Sequence, residues 1–153
     1  MTTKRRIAAI AAVFLVSQIF AILIHGFILA ADYAPFYGKL LRIPDPNAGW
    51  PILMLPASHL AMSVAFVTIF ALTLRPGSAI PQGIRFGVLA YLLGPVPMYL
   101  LWFAEQPWPS SLLVKQLPLE LIAFLTLGLV AGSIAEGGRQ KEESGNWEPG
   151  TGN

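Results

Sequence analysis

Two histidines and a glutamate stand inside stretches that are otherwise apolar. His25 lies within 7–31, His59 within 51–74 and Glu120 within 111–135. Imidazole and carboxylate groups exchange protons, and together they ligate metal ions. Gln18, His25 and Asp32 recur every seven residues. Seven residues of α-helix drift only about 20° from two full turns, so the spacing predicts one polar stripe. Counting inward from the ends of their segments puts His25 and His59 at a matched depth of roughly 9–12 Å. Ser58 and Ser63 accompany His59, Gln116 sits one turn from Glu120, and Tyr91 and Tyr99 add hydroxyls from the remaining apolar segment.

Several chemistries fit this set. The groups can hydrogen-bond one another and steady a membrane bundle, at about 0.6 kcal/mol per contact. His25 and Glu120 can relay protons or line a solute path, since ionisable groups inside a membrane mark function by default. His25, His59 and Glu120 are a donor set for a divalent metal such as zinc or iron. His25 and His59 at matched depth could hold a b-type haem, with Gly26 leaving room for a ring edge. Lipid or quinone chemistry is a further reading, with the long loop after the first segment covering the site. No residue is assigned a catalytic role.

The elements that must position these groups are four apolar segments. The chain has 153 residues, 55% hydrophobic and 12% charged. A soluble domain carries about 25% charged residues. Segments 7–31, 51–74, 84–104 and 111–135 approach or exceed the roughly 20 residues that cross a bilayer core. The expected fold is therefore all-α: a bundle of four transmembrane helices in one domain, 1–135, followed by a disordered tail, 136–153. The first segment should be one continuous helix. The third, with Gly94-Pro95-Val96-Pro97, should be kinked or unwound, because proline removes backbone donors and clashes with preceding carbonyls.

Lys4, Arg5, Arg6, Arg75, Arg85, Arg139 and Lys141 fall on one side of this topology, and Lys39, Arg42 and Lys115 on the other. By the positive-inside rule both termini are cytoplasmic. Tyr33, Phe36, Tyr37, Trp50, Trp102 and Trp108 collect at the opposite, outer interface. The outer connection, 32–50, carries Pro35, Pro44, Pro46 and Gly49, and its stretch 36–42 should lie among lipid headgroups. Lone Asp45 and Glu105 read as solvated loop charges, and the methionines as core filling. Lys4-Arg5-Arg6 resembles the start of a signal peptide, but the apolar run behind it exceeds the usual ~7–15 residues, so the first helix is expected to be retained.

Cysteine is absent, which excludes disulfides, thiolate metal sites and cysteine nucleophiles. The formal net charge of +2 gives no reason for a nucleic-acid partner. There is no Walker loop, dinucleotide fingerprint or HExxH sequence. Gly83-x-x-x-Gly87 and Gly128-x-x-x-Gly132 have the small-residue spacing that lets helices approach closely. Packing within the chain is one reading of them and a homo-oligomer face the other. A membrane-protein partner is the remaining expectation.

Gln82-Gly83-Ile84-Arg85-Phe86-Gly87, then a proline-interrupted apolar stretch, a short proline-rich turn and a helix closing on Gly128-Leu129-Val130-Ala131-Gly132, resembles a group of small four-helix bacterial integral membrane proteins of unknown function. The resemblance covers mainly the second half of the chain. It implies a bacterial inner-membrane location and assigns no site residue.

Overall fold

The computed structural model describes residues 1–41 and 50–145. Its elements are α1 (Thr3–Ala21), continued by a π-helical segment (Ile22–Ile28), α2 (Ala30–Tyr33), a 3-10 turn (Ala34–Phe36), α3 (Trp50–Thr73), α4 (Ala79–Leu93), α5 (Pro95–Glu105) and α6 (Ser110–Gly145). No strand occurs among the described residues. Four stretches are long and apolar enough to cross a bilayer: Thr3–Ile28, Leu53–Thr73, Ala79–Glu105 and Ser110–Gly137. The protein is a multi-pass, all-α membrane bundle. One end of the bundle carries Asp32 and the other Arg75.

Two expectations are corrected. The first span is not one continuous α-helix. Across Ile22–Ile28 the backbone winds wider, and Leu29 N–H donates to Ile24 carbonyl five residues back at 2.8 Å. Gly26, a weak helix former, sits inside this segment. The wider turn puts Ile24 and Leu29 on one face, where both bury with Leu112 and Ala123. The helix then breaks at Leu29.

The second correction concerns residues after Ala135. They continue α6 to Gly145 instead of forming a disordered tail. Glu136 is the anchor. Its Oε2 accepts the Ala79 N–H and, at 3.3 Å, the Ser78 hydroxyl, so a carboxylate caps the start of α4. Residues 146–153 lie outside the described residues, as does 42–49, including Arg42, Pro44, Asp45, Pro46 and Gly49.

The third span divides as its prolines dictate. α4 ends at Leu93, Gly94 bends the chain (φ −106°, ψ −84°), and α5 starts on Pro95. Proline is tolerated there because the first N–H groups of a helix lack intrahelical partners anyway.

The tightest contact is between α4 and α6. A methyl on Gly83 would overlap the Gly128 carbonyl, one on Gly87 the Phe124 carbonyl, and one on Gly132 would come within 2.8 Å of the Ala79 carbonyl. The two glycine pairs thus face each other inside the chain. Beside them, Ala9 and Val13 of α1, Phe66, Val67 and Phe70 of α3, and Leu127 and Ala131 of α6 form a dry core towards the Arg75 end. Gln82 closes that end, bonding backbone groups of Arg75 and Ser78. At the Asp32 end, Trp108 packs against Phe36 at 5.0 Å and edge-on to Tyr33 at 6.2 Å.

Candidate functional site: a polar cleft in one half of the bundle

α1 and α6 run antiparallel, which brings the π-helical segment beside the first half of α6. His25 is the hub. Its Nδ1 lies 3.1 Å from the Tyr33 hydroxyl and its Nε2 lies 3.4 Å from Glu120 Oε1. The same carboxylate oxygen accepts the Tyr99 hydroxyl at 3.0 Å. Gln116, buried one turn away, lies beside both phenols. Burial pushes the Tyr33 phenol well above its ordinary range, so it remains a neutral donor. A Tyr33 that donates to Nδ1 leaves the His25 proton on Nε2, facing the carboxylate. Glu120 is 14% exposed and His25 38% exposed, so the pair sits partly open rather than sealed.

His59 joins from α3. Its Nδ1 meets the Ser17 hydroxyl at 3.2 Å, and that hydroxyl donates to the Phe14 carbonyl at 2.7 Å. Ser17 precedes His25 by eight residues, so His59 lies deeper than His25 by up to about 12 Å along α1. The matched depth expected of the two histidines is corrected. Counting from each helix end presumed that the ends are level and the helices straight, and the tertiary contact shows otherwise.

Ser17, His25, His59 and Glu120 nevertheless line one cleft, with Phe20, Met62, Phe124 and Leu127 as its apolar wall and floor. It holds a cavity of about 50 Å³, room for a few waters at roughly 10–15 Å³ each. Electrostatic influence links His59 to both Glu120 and His25 across it.

The seven-residue stripe does not act as a unit. The π-helical segment intervenes, and wider turns do not complete two revolutions in seven residues. Asp32 instead pairs with Lys115 at 2.7 Å at the mouth of the site. Gln18 Nε2 is buried with no hydrogen-bond partner among the described residues. Ser63 turns to its own helix, bonding the His59 carbonyl at 2.7 Å, and Ser58 does the same with Leu55 at 2.8 Å. Tyr99 is among the hydroxyls expected of the third span, whereas the sequence does not single out Tyr33 for the cluster. Tyr33 was read as part of an aromatic belt, and only the fold at Leu29 turns it back over His25.

Among the described residues no group of three or more His, Asp or Glu lies close enough together to hold a metal ion. Both nitrogens of His25 are already engaged, and the two imidazoles differ in depth, which does not suit a pair of axial haem ligands. No protein-family model, no curated protein and no solved structure matches this chain.

Proposed function

We propose that the protein is a small subunit of a bacterial inner membrane, with both termini cytoplasmic, that carries a one-sided protonatable site. The observation that carries this reading is where the polar groups stop. Lys115 and Asp32 stand at the mouth, then Tyr33, His25, Glu120 and Tyr99, then Ser17 near the middle of the first span with His59 against it from the outer third of the second. Beyond them, among the described residues, the Ser63 hydroxyl is bonded back to the His59 carbonyl, and the apolar packing of Val13, Phe66, Val67, Phe70 and Leu127 follows. Protons can move between water at the Asp32 end and mid-membrane, but among the described residues no polar chain continues to the Arg75 end. Such a dead end does not conduct. It charges and discharges a group for something else, either a membrane-protein partner or a molecule within the bilayer. The distribution of Lys and Arg supports the orientation, and the sequence resemblance supports the location.

Because the chain has no cysteine, single-cysteine labelling tests this directly. In sealed vesicles, Ser17→Cys should react with a membrane-impermeant thiol reagent from the Asp32 side only, while Val67→Cys and Ala131→Cys should stay unreactive. A pH-jump infrared difference spectrum should carry a carboxylic C=O band that Glu120→Gln abolishes. Labelling of Ser17→Cys from the Arg75 side, or a spectrum unchanged by Glu120→Gln, would defeat the proposal. The competing structural role, in which the network only holds helices together, predicts lost stability with no proton-linked signal.

A further inference from the structure

His59 is held in one tautomer by its neighbour. The Ser17 hydroxyl spends its proton on the Phe14 carbonyl at 2.7 Å, so towards His59 Nδ1, 3.2 Å away, it can only accept. The bond made by one ring nitrogen sets the state of the other. His59 therefore carries its proton on Nδ1 and keeps Nε2 as a bare acceptor. Glu120 is arranged in the same sense. Its Oε1 takes both the Tyr99 hydroxyl and the His25 Nε2 proton, while its Oε2 has no protein partner among the described residues. His59 Nε2 has none among them either.

The buried side-chain nitrogens and oxygens without a partner, among the described residues, are Arg6 Nε and Gln18 Nε2. Glu120 Oε2 and His59 Nε2 do not belong to that group, so each keeps surface that water can touch. Both residues line the same cavity, together with Ser17 and His25. Its volume of about 50 Å³ admits a few waters. The ionisable groups that act on His59 across it are Glu120 of α6 and His25 of the π-helical segment. The free positions on Glu120, His59 and Ser17 are all acceptors. Water brings two donors, and a buried water needs about two to four polar partners.

We propose that a short file of water molecules fills this cavity and joins Glu120 Oε2 to His59 Nε2, making His59 the group that the one-sided site charges. The inference rests on the site proposed above and names its inner terminus. A protonated Glu120 gives its Oε2 proton to the nearest water, the file passes a proton along, and the last water gives one to Nε2. Glu120 ends as a carboxylate and His59 as an imidazolium, with Ser17 on Nδ1 and water on Nε2. No water is consumed. His25 cannot take this part, because both its nitrogens are committed to Tyr33 and Glu120.

Histidine nitrogen-15 spectra of the full chain in phosphatidylcholine nanodiscs test this. The chain has two histidines, so His25→Phe assigns the remaining ring to His59. Neutral His59 should show a protonated Nδ1 and a bare Nε2, and acid should add the second proton at Nε2. Ser17→Ala removes the acceptor of the Nδ1 proton and should move the ring towards the Nε2–H form. Magnetisation should pass from water to the His59 ring. Ala21→Leu, at a lining position, fills the cavity, leaves every polar group in place and should abolish that transfer. After a flash release of protons, the imidazolium infrared band of His59 should rise about a hundredfold more slowly in Glu120→Gln, the order that a positioned proton donor contributes. A neutral His59 protonated at Nε2, water transfer that survives Ala21→Leu, or an unchanged rise in Glu120→Gln overturns the proposal. Transfer from acyl-chain protons in place of water overturns it in favour of a lipid tail. If it fails while Ser17→Cys still labels from one side and Glu120→Gln still abolishes the carboxylic band, this inference alone falls and the one-sided protonatable site stands.

Discussion

His25 spends both ring nitrogens on neighbours, and this decides what the residue can do. A ring held between Tyr33 and Glu120 is oriented for proton exchange along one line. Removing it by His25→Phe should lower stability by about 0.6–1.7 kcal/mol, the range of side-chain hydrogen bonds in membrane bundles. A denaturation series in mixed micelles measures this. Gln18→Leu should behave in the opposite way. Its buried Nε2 has no partner among the described residues, so replacing the amide removes an unsatisfied donor and should leave stability equal or slightly higher. The Asp32–Lys115 pair is the weak member despite its short distance, because Lys115 is 52% exposed. Asp32→Asn should change stability by less than about 1 kcal/mol. Residue types alone identified His25, His59 and Glu120 as the groups of interest. They did not show that Asp32 would leave the cluster and Tyr33 would enter it, since one break at Leu29 controls both.

At the level of elements, α4 and α6 are joined in two ways that can be tested separately. Gly128→Ala adds a methyl where the Gly83 carbonyl lies, against backbone that cannot yield cheaply. Overpacking of this kind costs about 1–3 kcal/mol, and the larger Gly128→Leu should prevent a normal fold. The oligomeric size of folded protein should not respond, because this glycine face is occupied within the chain. A change in size without loss of stability would show a face between copies instead. Glu136→Ala removes the carboxylate that caps α4 and should cost about 1 kcal/mol. Thermal unfolding of the two variants separates the contacts. The glycine spacing was legible, and so was the break at Gly94-Pro95. Glu136 was not, because a polar residue beyond an apolar run gives no sign of its partner when that partner starts 57 residues earlier.

For the molecule as a whole, one half is polar and partly open and the other is dry and close-packed. This division suits a protein that must admit protons or a ligand from one side without leaking across. It also sets an expectation for topology. Reporters fused at the C-terminus and within the connection 32–50 should report opposite sides of the membrane, with the C-terminus cytoplasmic. A C-terminal reporter on the far side would reverse the orientation while leaving the one-sided path in place. The four spans, their alternation and the identity of the ionisable groups follow from the sequence itself, because about 20 apolar residues have few stable alternatives to a helix in lipid. Rotation, relative depth and local winding do not follow from it. A π-helical segment, a bend at Gly94 and the facing glycines fix those, and each depends on which neighbour a residue meets. The tertiary structure therefore decided that His25 turns to Glu120, that His59 sits deeper beside Ser17, and that the polar path ends halfway.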